Sequence, residues 1–184
     1  MIRGRLLDRL EGLLDRSSEE RQESKSRLLA LPDYPRLLVL CHGNICRSPA
    51  AEQLLKRHLP SQRFEVSSAG LSHQENLSTP SDFVQEAKTF GLDLSTHRSR
   101  SASSLLVEWA DLILIMDRSN RDLLFDFGPE GLKKSAWLGV WDPKGPIEIA
   151  DPYGTTILFM RRTLERLARA SESLARDLTG PKSA

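Results

Sequence analysis

The chain has 184 residues, a formal net charge of +1 and 39% apolar side chains, which is typical of one globular domain. Its 26 basic and 25 acidic residues nearly cancel, so no overall field favours nucleic acid or an anionic membrane as a partner. The two cysteines, Cys41 and Cys46, are too few for a secreted disulfide framework and lack the further ligands of a structural zinc site. Because no apolar run approaches the roughly 20 residues of a membrane helix, we expect a cytoplasmic protein without membrane insertion.

The first 35 residues predict an N-terminal helical extension. Apolar residues at spacings of three and four across residues 2–14 are typical of an amphipathic helix, and Ser17 followed by Glu20 matches a capping box that would begin a second helix. Two prolines then break the pattern, so we expect an extension at 1–35 and one domain at 36–184. The extension could pack on the domain, form a homodimer, or dock a partner or membrane surface. Its balanced charge favours packing or self-association.

From residue 36 onward, short apolar runs alternate with helical patterns. Strands are predicted at residues 37–40, 64–67, 112–115 and 136–138. Helices are predicted at residues 49–59, with Ser48 as the N-cap, and at 80–90, 102–110, 118–125 and 157–178. Strands that alternate with helices indicate a parallel sheet. We therefore expect an α/β fold, a three-layer sandwich with a central four-stranded parallel sheet, plus the N-terminal helical extension.

A loop of unusual composition joins the first predicted strand to the next helix. In open α/β sheets this is where ligands bind, and free backbone N–H groups and the helix dipole favour an anion there. The same positive environment favours a thiolate at Cys41, and the planar guanidinium of Arg47 can pair with two oxygens of a phosphate. Gly43 and Asn44 tolerate the positive φ that a tight ring of N–H donors needs, and the Ser48 hydroxyl can donate to the sulfur. Cysteine and arginine at this spacing are a weak pattern alone, but the buried strand before them and the helix start after them strengthen it.

Residues 40–49, Leu-Cys-His-Gly-Asn-Ile-Cys-Arg-Ser-Pro, resemble the signature loop of the low-molecular-weight protein tyrosine phosphatases, C-x-G-N-x-C-R-S-P. The resemblance continues at residues 68–70, 97–100, 110–120 and 138–153, and it covers roughly residues 36 to 178. It implies hydrolysis of phosphotyrosine in two steps: Cys41 attacks phosphorus, a cysteinyl phosphate forms, and water then hydrolyses it. No metal site and no organic cofactor is implied.

The resemblance also implies the roles of individual residues. Arg47 is the phosphate clamp, Asp151 is the general acid in an Asp-Pro-Tyr loop, and Tyr153 is an aromatic wall against the substrate ring. From the residues alone, Asp-Pro more often starts a turn. The other expected substrate-binding residues belong to the loop: His42, Gly43, Asn44, Ile45, Cys46 and Ser48.

Four positions carry supporting roles in the resemblance. Asn44, Ser68 and His97 match residues whose hydrogen bonds brace the loop. Cys46 matches a second loop cysteine that can form a reversible disulfide with Cys41 and so protect the nucleophile from overoxidation. The alternative, a small buried thiol that only packs the loop, stays open.

The chain departs from the family pattern at two places beside the predicted cavity. Gly154 follows Tyr153 where a second aromatic residue is frequent, and residues 73–75, His-Gln-Glu, stand where many members carry an aromatic wall. We therefore predict a less aromatic pocket. His42 and His73 could contact substrate, although solvated surface histidines are the more ordinary interpretation.

Other functions remain as alternatives. Protein arginine phosphatases resemble this loop but usually carry Thr at the position of Ile45, so the missing hydroxyl favours phosphotyrosine. Arsenate reductases of this fold need further cysteines downstream, which the chain lacks. A phosphoprotein-binding module without activity is disfavoured because all three catalytic candidates are present. The expected partner is a phosphotyrosine-containing protein, with a tyrosine kinase as one candidate.

Overall fold

The computed structural model describes residues 17–180, which form a parallel β-sheet flanked by helices. The strands are β1 (Arg36–Cys41), β2 (Glu65–Gly70), β3 (Leu112–Ile115) and β4 (Ser135–Trp137). The helices are α1 (residues 17–26), α2 (Arg47–His58), α3 (Ser81–Thr89), α4 (Ser104–Trp109), α5 (Arg118–Leu124), α6 (Pro129–Lys133) and α7 (Ile157–Thr179). Short 3₁₀ helices occupy Arg27–Ala30, Phe125–Phe127 and Leu138–Trp141. The helix predicted within residues 2–14 lies outside the described residues.

The sheet has the strand order β2-β1-β3-β4, and all three pairings are parallel. The chain moves from β1 to one neighbour and then crosses to the other side. Right-handed crossovers in opposite directions place helices on both faces of the sheet. Accordingly α2 and α3 contact α7, whereas α4 and α5 each contact α6. The predicted three-layer α/β sandwich with four parallel strands is confirmed.

Burial explains why the strands were recognisable in the sequence. Residues 37–40 of β1 and 112–114 of β3 are all 0% exposed, because central strands of a parallel sheet are covered on both faces. The long helix α7 instead alternates buried and exposed positions. Its buried face contains the predicted Met160, Leu164, Leu167, Ser171, Leu174 and Leu178. Ile157, predicted for the same face, is 45% exposed because it is the first helical residue.

Two predicted helix starts are wrong. Helix α2 begins at Arg47, with Cys46 at the N-cap, so Ser48 is already helical and caps nothing. The loop curls tightly enough for the helix to begin two residues earlier than predicted, and the Ser48 hydroxyl contacts Cys41 and Asn44 within the loop instead. Ser17 is likewise already helical rather than a cap. Helix α6 and the 3₁₀ helices were not predicted.

The described part of the N-terminal extension packs on the domain. Ser24 is buried, and its hydroxyl accepts a hydrogen bond of 3.2 Å from the backbone N–H of Trp137 in the edge strand β4. An uncovered edge strand invites pairing with another chain, so this contact protects the sheet. Among the described residues, no helix combines the length and the apolar character needed to span a bilayer.

Candidate active site

The loop between β1 and α2 forms the floor of a cavity of about 350 Å³. It lies at the carboxyl ends of the strands, where the chain switches from one side of β1 to the other. Gln74, Leu77, Asp151 and Tyr153 line the remaining wall. The loop contributes Cys41, His42, Gly43, Ile45, Cys46 and Arg47.

Cys41 ends β1 and is 3% exposed. Its sulfur lies 3.1 Å from the Ser48 hydroxyl oxygen. That oxygen accepts a hydrogen bond of 2.9 Å from the side-chain amide of Asn44, so the Ser48 proton can point to the sulfur or to the carbonyl oxygen of Ala69, at 3.5 Å.

Asn44 has φ +52°, in the left-handed region, and is 0% exposed. Its side-chain amide donates to Ser48 and Ser68, both at 2.9 Å, and its side-chain oxygen accepts from the backbone N–H of Arg100 at 3.1 Å. Its carbonyl oxygen lies 2.7 Å from Nε2 of His97. Because every polar atom of this side chain is paired, the unusual backbone conformation is held in place. The structure thus brings the three predicted bracing residues into contact.

Gly43 does not take the positive φ allowed for it in the sequence interpretation; Asn44 does. The glycine that the loop needs sterically is Gly70, at the end of β2. A Cβ there would lie 2.9 Å from the carbonyl carbon of Gly43, 3.0 Å from the carbonyl oxygen of His42 and 3.1 Å from the backbone nitrogen of Asn44. The loop can therefore rest directly on β2 only because residue 70 has no side chain.

The backbone N–H groups of residues 43–47 donate to no acceptor within residues 17–180. Strands and helices normally pair such groups, and buried N–H groups rarely stay unpaired. These donors stand at the start of α2, where the helix dipole adds partial positive charge. A curled loop with free donors at a helix N-terminus is suited to bind a small anion.

Arg47 lies at the centre of the charged groups and is 1% exposed. One terminal nitrogen donates to Asp117 and, at 3.1 Å, to the carbonyl oxygen of Ile149; the other pairs with Asp151 at 2.5 Å. Its Nε is buried and has no partner among the described residues. Burial lowers the pKa of Arg47, but negative charge at Cys41 and Asp151 raises that pKa above its usual value. The guanidinium is therefore fixed, charged and incompletely paired.

Comparison with known proteins identifies this arrangement. The family model described as low molecular weight phosphotyrosine protein phosphatase matches residues 36–183. The chain belongs to that family. The low molecular weight protein-tyrosine-phosphatase Wzb of Escherichia coli K12 is 37% identical over 139 residues, which are 74% of this chain and 92% of Wzb.

Solved structures of two related phosphatases share the fold. The tyrosine phosphatase Wzb from Escherichia coli K30, in complex with sulphate, matches 79% of this chain and 99% of its own, with a TM-score of 0.71 and 33% identity. The YwlE arginine phosphatase from Geobacillus stearothermophilus matches 78% of this chain and 92% of its own, with a TM-score of 0.70 and 31% identity.

Asp151 and Tyr153 approach the cavity of this phosphatase from the segment before α7. The Asp151 side chain is 44% exposed, and its second carboxylate oxygen accepts a hydrogen bond of 3.1 Å from the backbone N–H of Tyr153. Tyr153 is 62% exposed, so its ring is free to face a ligand. Across the cavity, Leu77 supplies an aliphatic wall in place of an aromatic one.

Cys46 is the second cysteine of the loop and is 2% exposed. Burial raises the pKa of its thiol far above the usual range, and negative charge at Cys41 and Asp151 raises it further. Cys46 therefore stays protonated at neutral pH. Both cysteines are free thiols in the structure.

Several residues of the site were not singled out from the sequence. Asp117 holds Arg47 from behind, and Glu52 accepts a hydrogen bond of 2.5 Å from Ser68. Burial raises the pKa of Asp117, but hydrogen bonds from Ser119 and Arg47 bring that pKa below its usual value, so the carboxylate is ionised. The predicted His42 lines the cavity, whereas His73 does not. Within residues 17–180, no cluster of His, Cys, Asp or Glu could hold a metal ion.

Proposed function

We propose that this phosphatase hydrolyses phosphotyrosine in proteins through a cysteinyl phosphate, with Cys41 as nucleophile, Arg47 as phosphate clamp and Asp151 as general acid. The observation that carries the proposal is the combination of unpaired N–H groups at residues 43–47 with a buried, incompletely paired guanidinium that lines the same cavity as Cys41. Sulphate, a tetrahedral dianion, is bound by the Escherichia coli K30 relative.

Phosphate binding rearranges the partners of Arg47. Asp117 is 17% exposed and stays behind the guanidinium, while Asp151 is 44% exposed and can move. An incoming phosphate takes the place of Asp151 on the terminal nitrogen of Arg47 and also uses the free N–H groups. The displaced carboxyl then lies at the cavity mouth, where the tyrosyl oxygen leaves.

The chemistry follows in two steps. Cys41 attacks phosphorus in line while protonated Asp151 gives its proton to the departing tyrosyl oxygen, which has a pKa of about 10 and is a poor leaving group as an anion. The Asp151 carboxylate then removes a proton from water, which attacks the cysteinyl phosphate and releases inorganic phosphate and the Cys41 thiolate. Ser48 stabilises that thiolate through its hydroxyl.

The walls of the cavity favour an aromatic phosphoester. Tyr153 and Leu77 offer apolar surface to a ring, and the Ile45 side chain lies in the loop where a hydroxyl residue is usual in arginine phosphatases. Phosphoarginine is the second candidate substrate, because an arginine phosphatase is among the structural relatives. We also infer a domain at 36–184, a reducing cytoplasmic location that preserves the thiols, and a phosphorylated kinase as one candidate protein substrate.

A panel of phosphopeptides tests the proposal. Peptides with phosphotyrosine, phosphoarginine and phosphoserine are incubated with the wild type and with Cys41→Ser, and phosphate release is measured. We expect rapid release from phosphotyrosine by the wild type and none by Cys41→Ser. Preference for phosphoarginine would transfer the assignment to the second candidate, and equal release by both proteins would refute the mechanism.

A further inference from the structure

Residues 17–30, which precede the part of the chain matched by the family model, contact the segment that carries Asp151. The fork of Arg21 donates one hydrogen bond of 2.8 Å to the carbonyl oxygen of Val140 and another of 2.9 Å to that of Gly145. Two parallel bonds from a planar guanidinium fix orientation as well as distance. Helix α1 is thus bonded to the chain six residues before Asp151.

Of the two acceptors, Val140 lies in the 3₁₀ helix Leu138–Trp141, whereas Gly145 lies in a segment without regular structure. Residues 142–156 form neither helix nor strand, so side chains and single backbone bonds hold them. Within this segment the carbonyl oxygen of Ile149 accepts a hydrogen bond from Arg47, and the backbone N–H of Ile149 donates to the carbonyl oxygen of Met116 at 2.7 Å. The positions of Asp151 and of one Arg47 acceptor therefore depend on the tethers around them.

A second arginine holds the same segment from within the domain. Arg166 of α7 donates to Asp142 at 2.9 Å, to the carbonyl oxygen of Pro146 at 2.5 Å and to that of Glu148 at 2.6 Å. One of the two Arg21 acceptors, Gly145, lies between these contacts. The extension and α7 thus share the support of one functional segment.

The extension also reaches the neighbourhood of Asp117. The Glu20 carboxylate lies 3.6 Å from a terminal nitrogen of Arg118, the residue after Asp117. Arg118 in turn pairs with Glu148 through its Nε at 3.1 Å and its backbone N–H at 3.0 Å. Asp117 and Ile149, which both accept hydrogen bonds from Arg47, are therefore each next in sequence to a residue of this network.

We propose that the N-terminal extension is a positioning element of the active site and that Arg21 is its positioning residue. Arg21 touches no substrate; it holds the carbonyl oxygens of Val140 and Gly145, and so the start of the segment that places Asp151 at the leaving oxygen. The inference rests on the proposed function, because it assigns Arg21 a part in the proton transfer to the tyrosyl group. It gives residues before the family domain a role in catalysis.

The leaving group distinguishes positioning from general stabilisation. Arg21→Ala and Arg21→Lys are prepared in the full chain, and kcat/KM is measured with a phosphotyrosine peptide and with p-nitrophenyl phosphate. A misplaced acid slows departure of the basic tyrosyl oxygen more than departure of the acidic nitrophenol, and kcat/KM reports that step. Arg27→Ala is the matched control, because Arg27 also donates to a carbonyl oxygen, that of Lys133, but not in this segment.

For Arg21→Ala we expect a loss of about 10-fold with the phosphotyrosine peptide and less than about 2-fold with p-nitrophenyl phosphate. Arg21→Lys should recover part of the loss, because an ammonium can reach one carbonyl. The ratio of the two substrates does not depend on the folded fraction, so reduced stability cannot imitate the effect. Equal losses on both substrates, or no difference from Arg27→Ala, would overturn the inference. A wild type inactive on phosphotyrosine would instead contradict the proposed function.

Discussion

This phosphatase has two clusters of arginine and aspartate, and the residue that is buried at the centre is an arginine in one and an aspartate in the other. In the active-site cluster, the Arg47 guanidinium is 1% exposed and lies between two aspartates. In the second cluster, the Asp142 carboxylate is 0% exposed and lies between Arg166 at 2.9 Å and Arg169 at 2.8 Å. The groups are the same, but the buried charge has the opposite sign.

The clusters differ in whether the buried group is fully paired. Asp142 accepts from both arginines and from the backbone N–H of Lys144 at 3.1 Å, and it joins the segment after β4 to α7. Arg47 keeps an unpaired Nε, faces a cavity of about 350 Å³, and has one half-exposed partner. A closed cluster stabilises the fold, whereas an incomplete one beside a cavity can exchange a partner for a ligand.

The largest expected effect is that of Arg47→Lys. Lysine keeps the charge but loses the planar fork, so kcat/KM for a phosphotyrosine peptide should fall by about 10³-fold. Arg169→Lys in the closed cluster is the matched control and should leave kcat/KM nearly unchanged. Steady-state kinetics of both variants measure this, and an Arg47→Lys enzyme as active as the control would remove the functional distinction between the clusters.

Asp142→Asn should instead lower the stability of the protein more than its activity. Two arginines lose their buried counter-charge, so the free energy of unfolding should fall by about 3 kcal/mol, while kcat/KM for p-nitrophenyl phosphate, which needs little help from Asp151, changes little per folded molecule. Urea unfolding measures the first quantity and titrated active sites the second. Asp126→Asn at an exposed position should cost at most about 0.5 kcal/mol. A stable Asp142→Asn protein that is inactive on p-nitrophenyl phosphate would contradict this expectation.

Acid should weaken the closed cluster over a defined range of pH. Burial raises the pKa of Asp142, but hydrogen bonds from Arg169 and Arg166 more than offset this, and the pKa is about 2. The pKa of Asp142 in the folded protein lies below its value of about 3.9 in the unfolded chain. Ionised Asp142 therefore adds about 2.5 kcal/mol to the free energy of unfolding above about pH 3.9, and this contribution is lost as the pH falls toward about 2. The difference in unfolding free energy between the wild type and Asp142→Asn should therefore shrink between about pH 5 and pH 2. A constant difference would show that Asp142 does not titrate there.

A pair of glycine substitutions sharpens the comparison with smaller effects. A Cβ on Gly145 would lie 2.6 Å from Nε of Arg166 and 2.7 Å from the Asp142 carboxylate, and a Cβ on Gly70 would press on the backbone of the Cys41 loop. Each change to alanine should lower the free energy of unfolding by about 2 kcal/mol. Only Gly70→Ala should also lower kcat with p-nitrophenyl phosphate, because it displaces the N–H donors; Gly145 lies in the segment that leads to Asp151, and this leaving group needs little help from an acid. Equal kcat values for the two variants would contradict this.

The sequence was most informative where contacts are local. Residues 37–40 and 112–115 form unbroken apolar runs, which are typical of a strand covered on both faces, and the loop between β1 and α2 carries Cys41 and Arg47 in the family's signature pattern. Asn44 was recognised as a residue able to take positive φ. Each of these patterns lies within a few neighbouring residues, so it can be interpreted without knowledge of the fold.

Contacts between distant parts of the chain were missed for a physical reason. Asp117 and Ile149 hold Arg47 from 70 and 102 residues away, and the second contact is a backbone carbonyl that no side chain reveals. Asp117 also caps α5, since it accepts from the backbone N–H of Asn120 at 2.9 Å, so an ordinary local role already explained it. The contacts of Arg21 could not be predicted from the sequence for the same reason, because both of its acceptors are backbone carbonyl oxygens.

The most direct test of the account is chemical capture of the intermediate. The wild type is mixed with a phosphotyrosine peptide, quenched rapidly, digested and analysed by mass spectrometry. We expect one phosphoryl group on the peptide that contains Cys41, and none in Cys41→Ser. Turnover that leaves Cys41 unmodified while a phosphoryl group appears on another residue, or on none, would contradict the assignment of Cys41 as the nucleophile.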